Sequence, residues 1–297
     1  MSRNTRSAAE ALIAGELTLA EPTREFAFSD NDFRSLAQFA YQEAGIALSD
    51  SKRNLVYSRL SRRLRALGMT SFKDYREYLA ANHAELENFI NAISTNLTKF
   101  FRESHHFDHF RTHVAQAFAQ APGAGGRRLR VWSAGCSTGE EPYTIAVVLK
   151  REIRDIARHD VKILATDIDT DVVGKGARGE YPASSLEEVP KPYHEFFVEA
   201  ASIRDSARVV VADDVRKLIT FRKLNLMESW PFTGSFDAIF CRNVMIYFDG
   251  PTKSTLVDRL TEKLKPGGWL YIGHSESLIG SHPGLRLVGR TIYRREA

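Results

Sequence analysis

Residues 129–142, LRVWSAGCSTGEEP, decide how the rest of the chain is read. Leu129, Val131 and Trp132 supply a short apolar run. Ser133, Ala134 and Gly135 end it, and a second glycine, Gly139, precedes a new apolar segment that opens at Glu140-Glu141-Pro142. A strand that passes through a glycine turn into a helix lets backbone approach a ligand closely. The spacing is not G-x-G-x-x-G, and no Gly-Lys-Ser/Thr follows, so neither a dinucleotide fingerprint nor a phosphate loop is present. Taken alone, the motif also fits an ordinary tight βα turn. The next strand, VKILATD over 161–167, ends in Asp167. A carboxylate there accepts both hydroxyls of a ribose. Turn and acid together point to a nucleoside-bearing cofactor and leave its class open, because nicotinamide enzymes share this logic.

Working outward, FDAIFCRN (236–243) and WLYIG (269–273) are further short apolar runs ending in small or polar residues. The helical stretches 141–153, 167–179 and 251–265 separate these runs. Strand and helix in alternation predict a doubly wound, mostly parallel sheet. LRLVGRTIYRRE (285–296) reads as a hairpin at the sheet edge, and RVVVADD and KLITFRKL suggest a small β insertion at about 198–222. Residues 29–103 read differently. Ser29 to Asp32 supply cap chemistry, Gly45 and Gly68 fit helix stops, and Val56, Leu60 and Leu64 recur on one face. Four short helices without a strand predict a separate helical module. The expected organisation is a tail over 1–25 carrying one weak helix, a helical domain over 26–95, a connecting segment over 96–125 and a cofactor unit over 126–297.

The chain has 297 residues, 41 Lys+Arg against 37 Asp+Glu, a net charge of +4 and 43% hydrophobic content. That is ample for a packed core and excludes global disorder. No long apolar run predicts a membrane span, and the N-terminus lacks the apolar core of a secretory signal. Two cysteines exclude a disulfide framework or a four-cysteine zinc site, and a reducing, cytoplasmic setting is expected. The charge is concentrated. Residues 50–68 carry six basic side chains and one acid, for a net +5, so the remainder of the chain sums to −1.

Two downstream features narrow the cofactor. Leu264-Lys265-Pro266-Gly267-Gly268-Trp269-Leu270 resembles the late turn of class I S-adenosylmethionine methyltransferases, and FDAIFCRN resembles their fourth strand. The string from Phe236 to Phe248, FDAIFCRNVMIYF, with TNLTKFFRE over 95–103 upstream, then resembles the chemotaxis receptor methyltransferases (CheR family). The likeness runs from about residue 29 to 294. It implies a Rossmann-like, mostly parallel seven-stranded sheet with a small antiparallel insertion behind an all-α domain. It further implies S-adenosylmethionine as methyl donor and S-adenosylhomocysteine as product. The products would be methyl esters of glutamates on cytoplasmic receptor helices.

By that resemblance the cofactor contacts fall on Asn96, Thr98, Arg102, Glu141, Asp167, Asn225, Leu226, Arg242 and Asn243. Glu141 would hold the methionyl ammonium, Asp167 the ribose, and Asn225 and Leu226 would border the adenine. Arg102 and Tyr247 would flank the methyl and the incoming carboxylate. A glutamate with a pKa of about 4.3 is already ionised at neutral pH, so no general base is required. Lys52, Arg59, Arg62 and Arg63 form a cationic stripe suited to an acidic receptor helix, and equally a solvated face. Some family members dock a receptor C-terminal pentapeptide on the β insertion behind a glycine-rich turn. Residues 197–211 contain no glycine, so that tether is not expected. Partners are expected to be receptor helices, with no nucleic acid or membrane insertion, and the chain is expected to be a monomer.

Other signals carry less. His105, His109 and His113 share helical spacing, but no H-E-x-x-H or paired cysteine accompanies them, so a polar helix face is expected and no metal. GHSES (273–277) lacks the second glycine and the chain order of a hydrolase elbow. Two other functions compete. A nucleic-acid methyltransferase is disfavoured because Asn243-Val244-Met245-Ile246-Tyr247 lacks prolines and no aromatic platform accompanies the arginines. A cofactor-binding regulatory or scaffold protein of the same fold stays open.

Overall fold

The computed structural model describes residues 24–122, 126–203, 206–276, 278 and 282–296. The weak helix expected near the N-terminus and residues 123–125 of the glycine-rich stretch 121–128 lie outside these residues.

The helical module is built from α1 (Asp30–Ala44), α2 (Arg53–Leu67), α3 (Phe72–Ala81) and α4 (His83–Ile93). Local chemistry sets its boundaries. Ser29 and Asp32 form a reciprocal capping box at the start of α1, and Gly45 ends it in the left-handed region. Ser71 caps α3, and Gly68 closes α2. Val56, Leu60 and Leu64, the face predicted from spacing, are fully buried among Phe33, Leu36, Phe72, Tyr75 and Phe89. This core is separate from those of the sheet unit.

The sheet unit contains β1 (Arg128–Ala134), α6 (Glu140–Glu152), β2 (Asp160–Asp167) and α7 (Thr170–Arg178) in its first half. A three-stranded antiparallel sheet follows, made of β3 (Glu180–Pro182), β4 (Phe197–Ile203) and β5 (Ser206–Val211). The short helix α8 (Asp213–Arg216) leads to β6 (Ile219–Lys223), then β7 (Phe236–Cys241), α9 (Gly250–Lys263), β8 (Leu264–Ile272), β9 (Leu285–Gly289) and β10 (Ile292–Arg295). The seven-stranded sheet has the order β6-β2-β1-β7-β8-β10-β9. Its first five strands are parallel, and β10 enters antiparallel between β8 and β9. The chain order reverses between β1 and β7, and ligands bind at the carboxyl ends of strands at such a switch point.

Two boundaries differ from expectation. KLITFRKL, placed in the insertion at 198–222, forms β6 of the main sheet and pairs with Ile163–Asp167 of β2. As an outer edge strand it is largely exposed, so it lacks the unbroken apolar run that marks β1 and β7. The small sheet instead begins earlier, at Glu180. Second, the connecting segment expected at 96–125 is mostly helical. Here α5 (Ser104–Phe110) continues through a π-helical stretch, Arg111–Gln116, to Ala117–Gln120. It lays Phe107 and Phe110 on Phe240 of β7, with ring centroids 5.7 and 5.5 Å apart. This helix covers the sheet rather than linking two domains.

Candidate active site

A cleft of about 380 Å³ opens where the helical module meets the strand ends at the switch point. Asn96, Thr98, Arg102, Glu141, Asp167, Asn225, Leu226, Arg242, Asn243 and Tyr247 all line it, as does Lys52. Residues far apart in sequence are thereby brought together.

The floor is the turn after β1. Gly135 sits at φ +85°, and a Cβ there would lie 2.2 Å from Cγ2 of Val244. Only glycine satisfies both the backbone angle and the close approach. Ser137 donates its backbone N–H to the Asp167 carboxylate at 2.8 Å, and Asp169 donates its own at 3.1 Å. Burial nevertheless raises the Asp167 carboxyl to about 6.

On the facing wall, Arg242 donates to Glu141 at 3.1 Å, and Ser133 donates to the other oxygen of Glu141 at 2.7 Å. Burial pushes the Glu141 carboxyl up, with Arg242 opposing. Arg242 also pairs with Glu103 at 3.5 Å, donates to the Arg102 carbonyl and lies over the Phe107 ring. A buried guanidinium between two carboxylates is charge-compensated and fixed in direction.

The loop after β7 is held from below. Glu276 accepts backbone N–H bonds from Asn243 (2.7 Å), Gly273 (2.8 Å) and Ile246 (3.0 Å). Asn243 adopts φ +58°, a left-handed conformation strained for most side-chain-bearing residues and least so for Asn. Phe101, Glu103 and Ser137 share that strain, and all three lie in the strings that build the cleft.

Both units contribute to the walls. Tyr247 donates its hydroxyl to the Thr95 carbonyl at 3.2 Å, and its own carbonyl accepts from the Ala47 N–H at 2.8 Å. The Asn225 amide donates to the Glu43 carbonyl at 2.7 Å. Arg102 donates to the Leu97 carbonyl at 2.7 Å.

A model for the CheR methyltransferase all-alpha domain matches residues 31–94, and one for the CheR methyltransferase S-adenosylmethionine-binding domain matches residues 96–293. The chain belongs to the CheR methyltransferase family. Chemotaxis protein methyltransferase 2 of Pseudomonas aeruginosa is 42% identical over 91% of this chain and 95% of its own length. The chemotaxis protein methyltransferases of Salmonella typhimurium and Escherichia coli are 42% and 40% identical over 93% of this chain, and over 93% and 94% of their own lengths.

The residues of this CheR-family chain fit S-adenosylmethionine. Asp167 offers a buried carboxylate at the carboxyl end of β2, able to accept from ribose hydroxyls, Gly135 leaves room at the floor, and the Glu141–Arg242 pair presents opposite charges suited to an amino-acid zwitterion. The fold is that of a class I S-adenosylmethionine methyltransferase. No group of three or more His, Cys, Asp or Glu placed to hold a metal occurs among the described residues, and no helix there is long and apolar enough to cross a membrane.

The cationic stripe does not stand free as a unit. Arg59 donates to the Ile93 and Ser94 carbonyls at 2.8 and 2.6 Å, which closes the end of α4. Arg63 grips Glu85 through two hydrogen bonds of 2.9 and 2.6 Å, and Tyr75 donates to the same carboxylate at 3.1 Å. Lys52 and Arg62 are exposed. A stripe read by spacing alone cannot register a buried acid on a neighbouring helix.

Of the three histidines expected on a polar face, His113 is exposed and His105 and His109 are half-buried, whereas their neighbour His106 is not on that face. His106 is fully buried against Thr291 and the Arg290 carbonyl, and His109 donates to or accepts from the Tyr271 hydroxyl at 3.0 Å. Desolvation lowers them to about 3 and about 4 respectively, so both rings stay neutral.

Three contributors escaped the sequence reading: Glu103, Asp169 and Glu276. Asp169 caps α7 and accepts from the Asn96 amide at 2.6 Å. Its signal was available, an acid followed by a helix-start pattern two residues past Asp167. Glu276 stands in GHSES within the string that carries the resemblance, and no local pattern marks its three backbone hydrogen bonds.

Proposed function

We propose that this CheR-family enzyme methylates glutamate side chains on the cytoplasmic helices of chemotaxis receptors, giving glutamate methyl esters. The observation that carries the reading is the composite cleft. The cofactor contacts and the helical module share its walls, and Arg102 and Tyr247 line it together with Lys52 of that module. The named relatives support the same assignment.

S-adenosylmethionine supplies, when bound, a methyl group already activated on a sulfonium. Asp167 would hold the ribose, Glu141 the ammonium, and Arg242 the carboxylate of the methionyl group. Asn225 and Leu226 would border the adenine, while Asn96, Thr98 and Asn243 would complete the pocket. Arg102 and Tyr247 orient the substrate carboxylate, which is ionised at neutral pH and attacks without a base. Arg102 also stabilises that carboxylate before reaction, so its effect is positional rather than rate-giving. Rate then comes from in-line placement and from replacing water with fixed dipoles. A soluble enzyme acting in the cytoplasm meets such helices directly.

A tritiated-methyl transfer assay on receptor-containing membranes tests the proposal. Label released as a volatile product by mild alkali supports ester formation. Alkali-stable label, or none, contradicts it.

A further inference from the structure

Six large hydrophobic side chains are exposed among the described residues, and two of them, Leu97 (79%) and Ile246 (48%), line the cleft. Folding does not leave them there by looseness. The Leu97 carbonyl is held by Arg102 at 2.7 Å, and the Ile246 N–H is held by buried Glu276 at 3.0 Å. The 3.2 Å contact between Tyr247 and Thr95 ties the two segments together. Two aliphatic side chains are thus presented to water on a pinned backbone, which lowers the entropic cost of binding against them. The cationic side chains of Lys52 and Arg102 line the same cleft.

We propose that Leu97 and Ile246 form an apolar lip that seats one face of an acidic amphipathic helix beside the glutamate to be methylated. Side chains three and four positions apart share a helix face, so a glutamate entering the cleft brings residues one turn away onto the lip. The cations serve the acidic face, and the lip selects for apolar neighbours of the target. This rests on the methyl-transfer reading above and adds the residues that choose among glutamates.

The test uses the full chain with Leu97→Ser, Ile246→Ser, the double variant and a control, Leu287→Ser, which is exposed but does not line the cleft. Each is assayed with a purified receptor cytoplasmic fragment. Cofactor affinity is measured separately by calorimetry. Each single variant is expected to lower kcat/KM about tenfold and the pair roughly fiftyfold, with cofactor Kd unchanged and the control like wild type. Unchanged kcat/KM in the double variant overturns the proposal, as does a matching loss of cofactor affinity. If sedimentation shows wild type self-associating while the double variant is monomeric and fully active, the lip belongs to a second copy of the chain. If wild type itself esterifies no receptor glutamate, the methyl-transfer reading fails and the lip assignment falls with it, an outcome distinct from all the others.

Discussion

The Asn96 side-chain amide donates to the Asp169 carboxylate at 2.6 Å, which joins the end of the helical module to the cap of the helix after β2. Asp169 is buried, and its backbone N–H supports Asp167. The Asn96 carbonyl accepts from the Ser137 hydroxyl at 3.2 Å, and the Ser137 N–H holds the same Asp167. Asn96→Ala therefore removes a partner from a buried carboxylate. The cost should be about 1–3 kcal/mol in stability, read by denaturant titration, with weaker cofactor binding by calorimetry. Asn96→Asp should cost more, because it sets two carboxylates together.

Asp167 sets a pH dependence. Burial raises its folded value from 3.8 to about 6, so its protonation favours the empty folded protein at low pH. That contribution is fully present below the unfolded value and is lost as pH rises through about 6. In the proposed binding mode the ribose hydroxyls donate to the ionised carboxylate, which is the better acceptor. Cofactor Kd measured by calorimetry should be level well above pH 6 and should rise toward about tenfold per unit below it. Asp167→Asn should bind weakly and without that slope.

Gly135→Ala should lose cofactor binding and stability. Two separable causes act, a Cβ 2.2 Å from Val244 Cγ2 and a positive φ of 85°. The left-handed strain alone costs about 1–2 kcal/mol. Adding Val244→Ala should recover the steric part and leave the conformational part, a coupling that a double-mutant cycle on thermal stability measures.

The basic residues at the start and along the length of α2 should divide into two classes. Arg63→Glu leaves the buried Glu85 facing a like charge, and about 3–5 kcal/mol of stability should be lost. Lys52→Glu and Arg62→Glu should leave melting temperature and cofactor Kd near wild type. They should weaken receptor methylation and flatten its salt dependence, measured from 50 to 300 mM salt as a rough window. Equal behaviour of all three variants would remove the distinction.

Periodicity and turn chemistry made most of the architecture legible. The buried face of α2, the glycine stops at Gly45 and Gly68, and the edge hairpin β9–β10 were all written locally. The third strand of the main sheet was not, because an edge strand needs few apolar residues and KLITFRKL resembles part of an insertion. Site residues within quoted strings reached the cleft together. Residues acting through others did not announce themselves. Glu276 has no motif for three backbone N–H bonds, and Glu103 reads as a surface acid until Arg242 folds against it. Arg59 and Arg63 failed as free cations for the same reason, since their partners lie on another helix.

The central claim is ester formation on glutamate, and site-resolved mass spectrometry tests it most directly. A receptor cytoplasmic fragment is incubated with the full chain and S-adenosylmethionine, digested at mildly acidic pH and sequenced by fragmentation. Specific glutamates should carry the added mass of one methylene, lost on brief alkaline treatment and absent with Asp167→Ala. Methylation confined to lysine, arginine or an N-terminus, or glutamates unmodified while the cofactor binds normally, would contradict it.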